Sequence, residues 1–187
     1  IADLARVRNA PRVFDPCCGS GTLLIESALA ALRIAPGIKR EFTASAWRQV
    51  PAEVWRQERN QAREMSRQII DFKAWGGDID SEAVALTIEN AAKAGVGGNI
   101  TAVKANLSEF KTDGGGGVVL CNPPYGERLL DVRAAEGLIR DMGKVFRPEP
   151  GWSYYIISPH EEFEALFGRK ADKRRKLYNG MLKCQLY

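Results

Sequence analysis

The sequence predicts an α/β fold: a Rossmann-like, mostly parallel central sheet with helices on both faces and a C-terminal antiparallel β-hairpin. Two observations over the 187 residues support this prediction. Short apolar runs alternate with helical patterns, which is typical of βαβ units. Near the end of the chain, Asn179-Gly180 lies between two strand-like runs, and this dipeptide is a strong hairpin signal.

The first predicted unit is a strand, a tight glycine turn and a helix. Residues 12–15 form a short run, RVFD, that ends at an Asp-Pro pair. A turn follows at residues 19–21, where two glycines accept the backbone conformations that a tight turn requires. Residues 22–32 are rich in Ala and Leu and contain no Gly or Pro, so they predict a buried helix.

The next stretch is predicted to be largely exposed. Residues 34–50 combine Pro36-Gly37 with mixed charge and show no period, which indicates an irregular segment. Residues 52–71 follow a proline and are rich in Arg, Glu and Gln, so they predict an exposed helix. The candidates for its apolar face are Val54, Trp55, Met65, Ile69 and Ile70.

A second strand–helix–strand unit follows. Residues 72–80 are predicted to be a strand that ends in acidic residues. Residues 81–94 predict a helix, with Asp80 as its N-cap and Gly95 in the position that a left-handed cap prefers. Residues 100–104 are the third predicted strand.

The last third of the chain repeats the alternation. After a glycine-rich hinge, residues 118–121 are wholly apolar, as in the central strand of a sheet. The run Asn122-Pro-Pro-Tyr-Gly126 ends that strand, because proline cannot donate to a ladder. Residues 132–146 predict a helix, and residues 152–157 predict a fifth strand.

Two final elements complete the predicted fold. The run Ser158-Pro-His-Glu161 has a capping-box pattern and predicts the start of a helix that ends near Gly168. Its histidine, His160, is predicted to be a surface residue without a catalytic role. Residues 176–187 are predicted to form the hairpin.

Composition limits the class of protein. With 45% hydrophobic residues and a net charge of +4, the chain is expected to be one soluble globular domain, residues 1–187. The four cysteines lack C-x2-C spacing, so we predict no metal site and reduced thiols in a cytoplasmic protein. No apolar run reaches the roughly 18 to 20 residues of a membrane span.

Three polar segments follow predicted strands, and ligands bind at the carboxyl ends of strands in such sheets. These segments are residues 15–21, 78–80 and 122–126. A glycine turn lets a ligand approach the backbone, and an acidic strand end can accept hydrogen bonds from ribose hydroxyls. Nicotinamide dinucleotides and S-adenosylmethionine both fit that description.

Details of the turn favour the second ligand. A pyrophosphate fingerprint, G-x-G-x-x-G, has its acidic residue about 20 positions further on. Here Leu24 occupies the third glycine position, and Asp78 lies 57 residues after Gly21. The carboxylate of Asp15 would repel a pyrophosphate but could hold an ammonium group. We therefore predict a zwitterionic nucleoside.

At these residues the chain resembles a known family. Asp15-Pro-Cys-Cys-Gly-Ser-Gly-Thr22 and Asn122-Pro-Pro-Tyr125 together resemble the class I S-adenosylmethionine-dependent methyltransferases that modify exocyclic amino groups of nucleobases. Within these, the chain most resembles the RlmL/YpsC-like (UPF0020) group, named as 23S rRNA guanine-N2 methyltransferases or as N6-DNA methylases. Supporting stretches are residues 34–42, 122–129 and 171–180.

The resemblance implies the class I methyltransferase fold, S-adenosylmethionine as cofactor, and a set of site residues. At the position of Asn106 the family commonly has Asp, and an asparagine can also accept from an adenine amino group. The implied cofactor-binding residues are Asp15, Pro16, Cys17, Gly19, Ser20, Gly21, Thr22, Asp78, Ile79, Asn106, Leu107 and Asn122. The implied catalytic residues are Asn122, Pro123, Pro124 and Tyr125.

The chemistry of amino methylation explains the second motif. An exocyclic amine attacks poorly because its lone pair is delocalised into the ring. The side-chain oxygen of Asn122 and the backbone carbonyl of Pro123 can each accept one N–H, which favours a tetrahedral nitrogen. Tyr125 is expected to stack on a base turned out of its helix. Guanine N2 of 23S rRNA is the leading target, adenine N6 of DNA or RNA is the alternative, and a non-catalytic RNA-binding module is a third hypothesis.

Positive charge is concentrated near the C-terminus. Residues 167–187 contain seven basic residues against one acidic residue. A solvated face is the default explanation for such a run, but its place beside the predicted hairpin also suits contacts with RNA phosphates. The predicted RNA contacts are Arg169, Lys170, Lys173, Arg174, Arg175 and Lys176. Family members usually carry an N-terminal THUMP RNA-binding domain, which we expect a longer protein to supply.

Overall fold

The computed structural model describes residues 1–66, 71–112, 114–125 and 132–187. Strands and helices alternate through most of this chain. The elements, in order, are β1 Arg12–Asp15, α1 Thr22–Ala31, α2 Ala52–Met65, β2 Lys73–Asp78, α3 Ser81–Ala94, β3 Ile100–Lys104, β4 Gly117–Cys121, α4 Val132–Val145, β5 Trp152–Ser158, α5 Phe163–Phe167, β6 Arg175–Asn179 and β7 Leu182–Leu186.

The strands form one seven-stranded sheet in the order β3-β2-β1-β4-β5-β7-β6. The pairs from β3 to β5 are parallel, and β7 pairs antiparallel with both β5 and β6. The predicted fold class is therefore confirmed. The strand order changes direction at β1: β2 and β3 lie on one side of this strand, and β4 and the later strands lie on the other.

Helices cover both faces of the sheet. On one face, α1 and α3 enclose a core of aliphatic residues with Leu24, Phe72 and Val96 fully buried. Gly76 of β2 makes this packing possible, because a Cβ there would lie 2.6 Å from Cδ1 of Leu24. On the other face, α4 and α5 pack on an aromatic core that includes Phe110 and Phe146. Of the helices that the structure describes, none has the length and apolar character needed to cross a bilayer.

The predicted helix over 52–71 is shorter than expected. α2 ends at Met65, because Ser66 is extended, and none of its residues is buried. The two residues of the first turn that were predicted for the apolar face differ in burial. Val54 is exposed, whereas Trp55 stacks on Phe42 with ring centroids 5.8 Å apart. Ile69 and Ile70 lie outside the described residues.

The helix predicted to begin at Ser158 is wrong in its start. Ser158 is still in β5, where it pairs with Gln185 of β7. Its hydroxyl accepts a hydrogen bond from the backbone N–H of His160, which forms a turn instead of a helix cap. The helix begins only at Phe163 and ends, as predicted, at Gly168, whose φ is +80°.

The hairpin is present, but its turn lies one residue later than predicted. Asn179 pairs with Leu182, so the two loop residues are Gly180 and Met181. Gly180 has a φ of +61° and Met181 does not have a positive φ, which is the pattern of a type II′ turn. Asn179 is thereby the last residue of β6 and not part of the turn.

Candidate active site

The three polar segments singled out from sequence meet at one edge of the sheet. They follow β1, β2 and β4, which are neighbours and parallel. Because parallel neighbours end at the same edge, the glycine turn, Asp78 and Asn122 all lie at the carboxyl edge that open α/β sheets use for ligands.

Backbone hydrogen bonds attach the glycine turn to the end of β2 and close the turn itself. The N–H of Cys18 donates to the carbonyl of Gly77 at 3.0 Å, and the N–H of Gly21 donates to the carbonyl of Cys18 at 2.8 Å. Gly19 has a φ of +53°, and the space where its Cβ would stand is open to 4 Å. A ligand can therefore approach the backbone at Gly19.

Asp15 is the buried charge of the site. Its side chain is 2% exposed, and one carboxyl oxygen accepts the N–H of Cys17 at 3.1 Å. Burial raises the pKa of Asp15 to about 7; the hydrogen bond from Cys17 lowers it and the nearby charge of Asp78 raises it. The ionised form of a buried carboxyl group is stabilised when a cation binds beside it.

Asp78 binds the glycine turn through its side chain. One carboxylate oxygen accepts the N–H of Gly19 at 2.9 Å, and the other accepts the N–H of Asp80 at 3.0 Å. Each oxygen keeps a further lone pair for a ligand hydroxyl. Asp80 accepts the N–H of Glu82 at 2.9 Å and is thus confirmed as the N-cap of α3. Ile79 between them is 65% exposed, an apolar surface beside the ligand edge.

The other residues of the first motif divide between core and surface. Pro16 and Gly21 are buried, and Cys17 packs against the aromatic core. Ser20 and Thr22 are exposed, and their hydroxyls lie 3.2 Å apart.

Two residues of α3 that the sequence analysis did not single out hold the glycine turn. The hydroxyl of Thr87 donates to the carbonyl of Gly19 at 2.8 Å, and the amide of Asn90 donates to the carbonyl of Ser20 at 3.0 Å. They are three positions apart and so share one helix face. The sequence signal for these two residues is a pair of polar side chains on the inward face of α3, the helix that follows the second polar segment.

After β3, the backbone turns back toward the site. The N–H of Ala105 donates to the carbonyl of Asp78 at 2.9 Å. The side-chain oxygen of Asn106 accepts both the N–H and the hydroxyl of Ser108 at 2.9 Å. Leu107 is only 4% exposed, so its backbone, and not its side chain, is the part that a ligand at this edge can touch.

The second motif follows β4. Asn122 is exposed, Pro123 is buried and Pro124 is half-buried. The hydroxyl of Tyr125 donates to the side-chain oxygen of Asn122. The stretch 126–129 that extends the family resemblance lies outside the described residues.

Tyr125 itself packs against the hairpin. Its ring belongs to an apolar cluster with Leu177 and Leu182. Burial raises the pKa of Tyr125 to about 12, and a hydrogen bond from the side chain of Asn179 lowers it. The hairpin tip thus borders the second motif.

The basic run of the C-terminal region is divided between structural and exposed side chains. Arg169 donates to the carbonyl of Phe146 and lies 5.1 Å from the ring centroid of Phe167, and Arg174 pairs with Glu164 at 3.3 Å. The others are exposed: Lys170, Lys173, Arg175 and Lys176. His160, which was expected on the surface, is half-buried, and its Nε2 lies 3.9 Å from a carboxylate oxygen of Glu136.

Among the described residues, neither a metal cluster nor either of two open clefts coincides with this edge. Within the described ranges, no three His, Cys, Asp or Glu side chains are grouped as metal ligands would be. Two open clefts, of about 360 and 470 Å³, lie between α2 and the segment before it. None of their lining residues belongs to the site.

The residues at the edge fit a zwitterionic nucleoside. The open approach at Gly19, the buried carboxyl of Asp15 and the exposed Ile79 provide room, a partner for an ammonium group and an apolar contact for a base. The side-chain oxygen of Asn122, at the same edge, can accept a hydrogen bond from an amine.

The whole chain matches one family model, described as UPF0020, RMKL-like, methyltransferase domain, over residues 1–187. It is 39% identical over 173 residues to "Putative RNA methyltransferase YpsC" of Bacillus subtilis, which covers 92% of this chain and 45% of that protein. It is also 39% identical over 181 residues to "Ribosomal RNA large subunit methyltransferase K/L" of Shewanella amazonensis, covering 94% and 26%. The chain therefore spans less than half the length of these relatives.

Solved structures agree in fold and in sequence. The protein described as "SMU.472, a putative methyltransferase complexed with SAH" is 42% identical, with a TM-score of 0.89 over 94% of this chain and 47% of that chain. A Listeria monocytogenes protein described as a "predicted N6-adenine-specific DNA methylase" is 41% identical, with a TM-score of 0.86 over 94% and 45%.

Proposed function

Since the chain belongs to the UPF0020 family of RMKL-like methyltransferase domains, we propose that it transfers a methyl group from S-adenosylmethionine to the exocyclic amino group of a nucleobase, guanine N2 in 23S rRNA. The observation that carries this proposal is the meeting of the glycine turn and buried Asp15 with Asn122 at one edge of the sheet. The rRNA target is drawn from the names of relatives that are longer than this chain.

Asp15, the turn at residues 19–21 and Asp78 would hold the cofactor. S-adenosylmethionine supplies an activated methyl group on a sulfonium. The carboxylate of Asp15 would pair with its ammonium group, Asp78 would accept from the ribose, and Ile79 would contact the adenine. The backbone at Asn106 and Leu107 would border the adenine from the next strand end.

Asn122 would prepare the amine. Its side-chain oxygen and the carbonyl of Pro123 would each accept one N–H, which takes the nitrogen lone pair out of conjugation. The nitrogen attacks the methyl carbon, the carbon–sulfur bond breaks with its electron pair on sulfur, and the nitrogen then loses a proton. The two prolines fix φ and keep both acceptors in place.

Adenine N6 of DNA or RNA remains the second candidate, because the same two acceptors serve either amine. The 41% identity to the Listeria protein favours it. Nucleoside mass spectrometry of rRNA and DNA from cells with and without the gene separates the two. Loss of N2-methylguanosine from rRNA is the expected result, and loss of N6-methyladenine would replace the first candidate by the second.

Calorimetric titration of the chain with S-adenosylmethionine tests whether it is an enzyme at all. We expect binding with a stoichiometry of one, which S-adenosylhomocysteine competes for. A folded sample that binds neither compound would instead favour the non-catalytic RNA-binding hypothesis.

RNA would reach the site along the basic C-terminal region, with an N-terminal domain of a longer protein adding affinity. On the outer face of the hairpin, Lys176 lies 5.3 Å from the ring centroid of the exposed Tyr178. Lys183 pairs across the strands with Tyr178 and so shares this face. Two lysines beside an exposed aromatic ring could contact the phosphates of an RNA strand while an unpaired base stacks on the ring.

Reversing one of these charges is expected to weaken RNA binding. For Lys176→Glu or Arg175→Glu, we expect several-fold weaker binding and a salt dependence whose slope falls by about 0.7 to 0.9, the loss of one phosphate contact. Fluorescence anisotropy with an rRNA fragment over a range of salt concentrations measures both.

The matched control is Lys73→Glu, at the amino end of β2 and on the opposite edge of the sheet. Equal losses for Lys73→Glu and Lys176→Glu would mean that net charge, and not the hairpin, governs binding. Arg174 is left unchanged because its pairing with Glu164 supports the loop.

A further inference from the structure

α2 is a helix that the core of the fold does not require. None of its residues is buried, and the three apolar clusters formed by the described residues contain no residue of α2. It is attached instead to the segment that precedes it. Trp55 stacks on Phe42, and the guanidinium of Arg59 donates to the carbonyls of residues 38 and 40 at 3.4 and 2.7 Å. Hydrophobic burial therefore does not account for this helix, which leaves the surface that it forms.

The two clefts beside α2 are parts of one groove, because both are lined by Glu41, Arg59 and Arg63. We name it the α2 groove. Lys39 and Arg56 also line it, so four basic side chains face one carboxylate among the described lining residues. The groove thus carries a net positive charge, which favours an anionic occupant.

Two of the guanidinium groups in the groove are available to a ligand. Arg56 pairs with Glu53, but both side chains are at least half exposed, and an exposed ion pair is weak enough for a phosphate to replace it. Arg63 donates to the amide oxygen of Asn60 at 3.2 Å and takes part in none of the ion pairs between described residues. The two arginines lie two helical turns apart, which is about 10 Å along the axis, or about three nucleotides of a strand at 3.4 Å each.

An exposed aromatic ring lies close to the groove. Trp47 is 58% exposed and is two residues from Ser45, which lines the groove. The flat face of an exposed indole can stack on an unpaired base, and guanidinium groups bind phosphates through paired hydrogen bonds. An acidic protein surface would use the charges but not the ring. The combination therefore favours a single-stranded segment of nucleic acid as the occupant.

The groove lies at the amino edge of the sheet, opposite the candidate active site. α3 begins at Ser81, beside the site, and ends at Ala94, which lines the groove together with Gly95. The 14 residues of α3 cover about 21 Å at 1.5 Å per residue. An RNA longer than this distance can contact the site and the groove at the same time.

We propose that the α2 groove is a second RNA-binding surface, in which Arg56 and Arg63 bind the phosphates of a single-stranded segment while one of its bases stacks on Trp47. The groove is separate from the basic C-terminal region and about 20 Å from the site. It therefore binds a part of the RNA that is distant from the methylated nucleotide. This inference rests on the proposed function for the choice of RNA as the partner.

The double variant Arg56→Gln, Arg63→Gln tests the phosphate contacts. The probe is an rRNA fragment of about 30 nucleotides, which at 3.4 Å per nucleotide is longer than the distance from the groove to the site. We expect about tenfold weaker binding and a slope of log K against log salt that is smaller by about 1.4 to 1.8, the loss of two phosphate contacts. Glutamine preserves helix propensity, so α2 is expected to remain folded. Fluorescence anisotropy over a range of salt concentrations measures both quantities.

Lys73→Glu is the matched control. It lowers the net charge by the same two units at the same edge of the sheet, but Lys73 does not line the groove. We expect its affinity for the RNA to be within twofold of wild type. Equal losses in the control and the double variant would overturn the proposal. An unchanged affinity of the double variant would also overturn it and would favour an acidic protein as the occupant.

Tryptophan fluorescence tests the stacking contact. RNA is expected to quench the emission of the wild-type chain, and Trp47→Leu is expected to lose most of this quenching and to bind at least about fivefold more weakly. Val54→Ala is the control, because Val54 is an exposed apolar residue of α2 that does not line the groove. Equal quenching in wild type and Trp47→Leu would refute the stacking.

Methyl-transfer assays distinguish this inference from the proposed function. The double variant is expected to raise the KM for the rRNA fragment about tenfold, with kcat within twofold of wild type, because the lost contacts serve RNA binding alone. If the wild-type chain binds RNA through the groove but methylates no nucleic acid, the proposed function fails and the groove assignment stands. If the wild-type chain methylates rRNA and the double variant has an unchanged KM, the groove assignment fails and the proposed function stands.

Discussion

Asn122→Ala is expected to reduce methyl transfer about 10³-fold while the Kd for S-adenosylmethionine stays within twofold of wild type. The substitution removes an acceptor that would act on the reacting nitrogen, and loss of one such polar group costs about 10²- to 10³-fold in other enzymes. The ammonium group, ribose and adenine of the cofactor would be held by residues after β1, β2 and β3, which this change does not touch. Single-turnover assays with labelled cofactor, beside calorimetric titration, measure the two quantities separately.

Two further variants make this result specific. Asn122→Asp keeps oxygen acceptors at the same place and is expected to retain more activity than Asn122→Ala. Asn60→Ala removes an exposed amide on α2 that accepts a hydrogen bond from Arg63 within the helix, and we expect wild-type rates. If Asn122→Ala transfers methyl groups at the wild-type rate, the role assigned to this residue is incorrect.

The order of elements and the edge that carries the site follow from local patterns in the sequence. In the parallel part, β1, β2, β4 and β5 are short runs with Gly, Pro or Asp at or beside their ends, and the polar segments follow β1, β2 and β4 directly. Parallel pairing then brings the ends together without further information. The pairing of β6 with β7 is also a local matter, because a two-residue turn makes the two strands neighbours.

What sequence patterns missed depends on contacts between distant segments. Ser158 has the neighbours of a helix cap, yet pairing with Gln185 keeps it in a strand. The hydroxyl of Thr87 donates to the carbonyl of Gly19 across 68 positions, and the amide of Asn90 donates to the carbonyl of Ser20 across 70. Helical spacing can mark Thr87 and Asn90 as a polar pair on one face, but it cannot name their partners, which are defined only once the sheet has formed.

The register of the hairpin shows how an error of one residue changes the face that a side chain occupies. An Asn179-Gly180 turn would place Asn179 in the loop with its side chain in solvent. The observed turn at Gly180 and Met181 needs only one positive φ, at a glycine, and moves Asn179 onto the strand. Because side chains alternate along a strand, this shift of one residue places Asn179 on the face of β6 that carries Leu177.

Asp15→Asn is expected to stabilise the fold and to weaken cofactor binding at the same time. The folded protein raises the pKa of Asp15 from 3.8 to about 7. Between these values the unfolded chain has already lost the proton that the folded chain retains, so this group reduces stability as the pH rises from about 4 to about 7. Each pH unit costs about 1.4 kcal/mol, and above pH 7 the effect is constant.

The stability difference between Asp15→Asn and wild type is therefore expected to grow with pH, up to about 4 kcal/mol at pH 8. Asparagine keeps the oxygen that accepts the N–H of Cys17 without carrying the buried charge. Urea unfolding between pH 5 and pH 8 measures this, with Asp3→Asn, an exposed aspartate, as the control. Parallel pH profiles for Asp15→Asn and wild type would contradict it.

Cofactor binding should respond to pH in the opposite sense, because an ammonium group pairs with the ionised carboxylate. The Kd of wild type for S-adenosylmethionine is expected to rise up to about tenfold for each pH unit below 7. Asp15→Asn is expected to bind at least about 100-fold more weakly at pH 8, as for other buried charge pairs that lose one partner. An Asp15→Asn variant that is more stable but binds the cofactor poorly would show that the charge of Asp15 serves ligand binding and lowers the stability of the fold. Tight, pH-independent binding by the variant would exclude an ionic contact at this position.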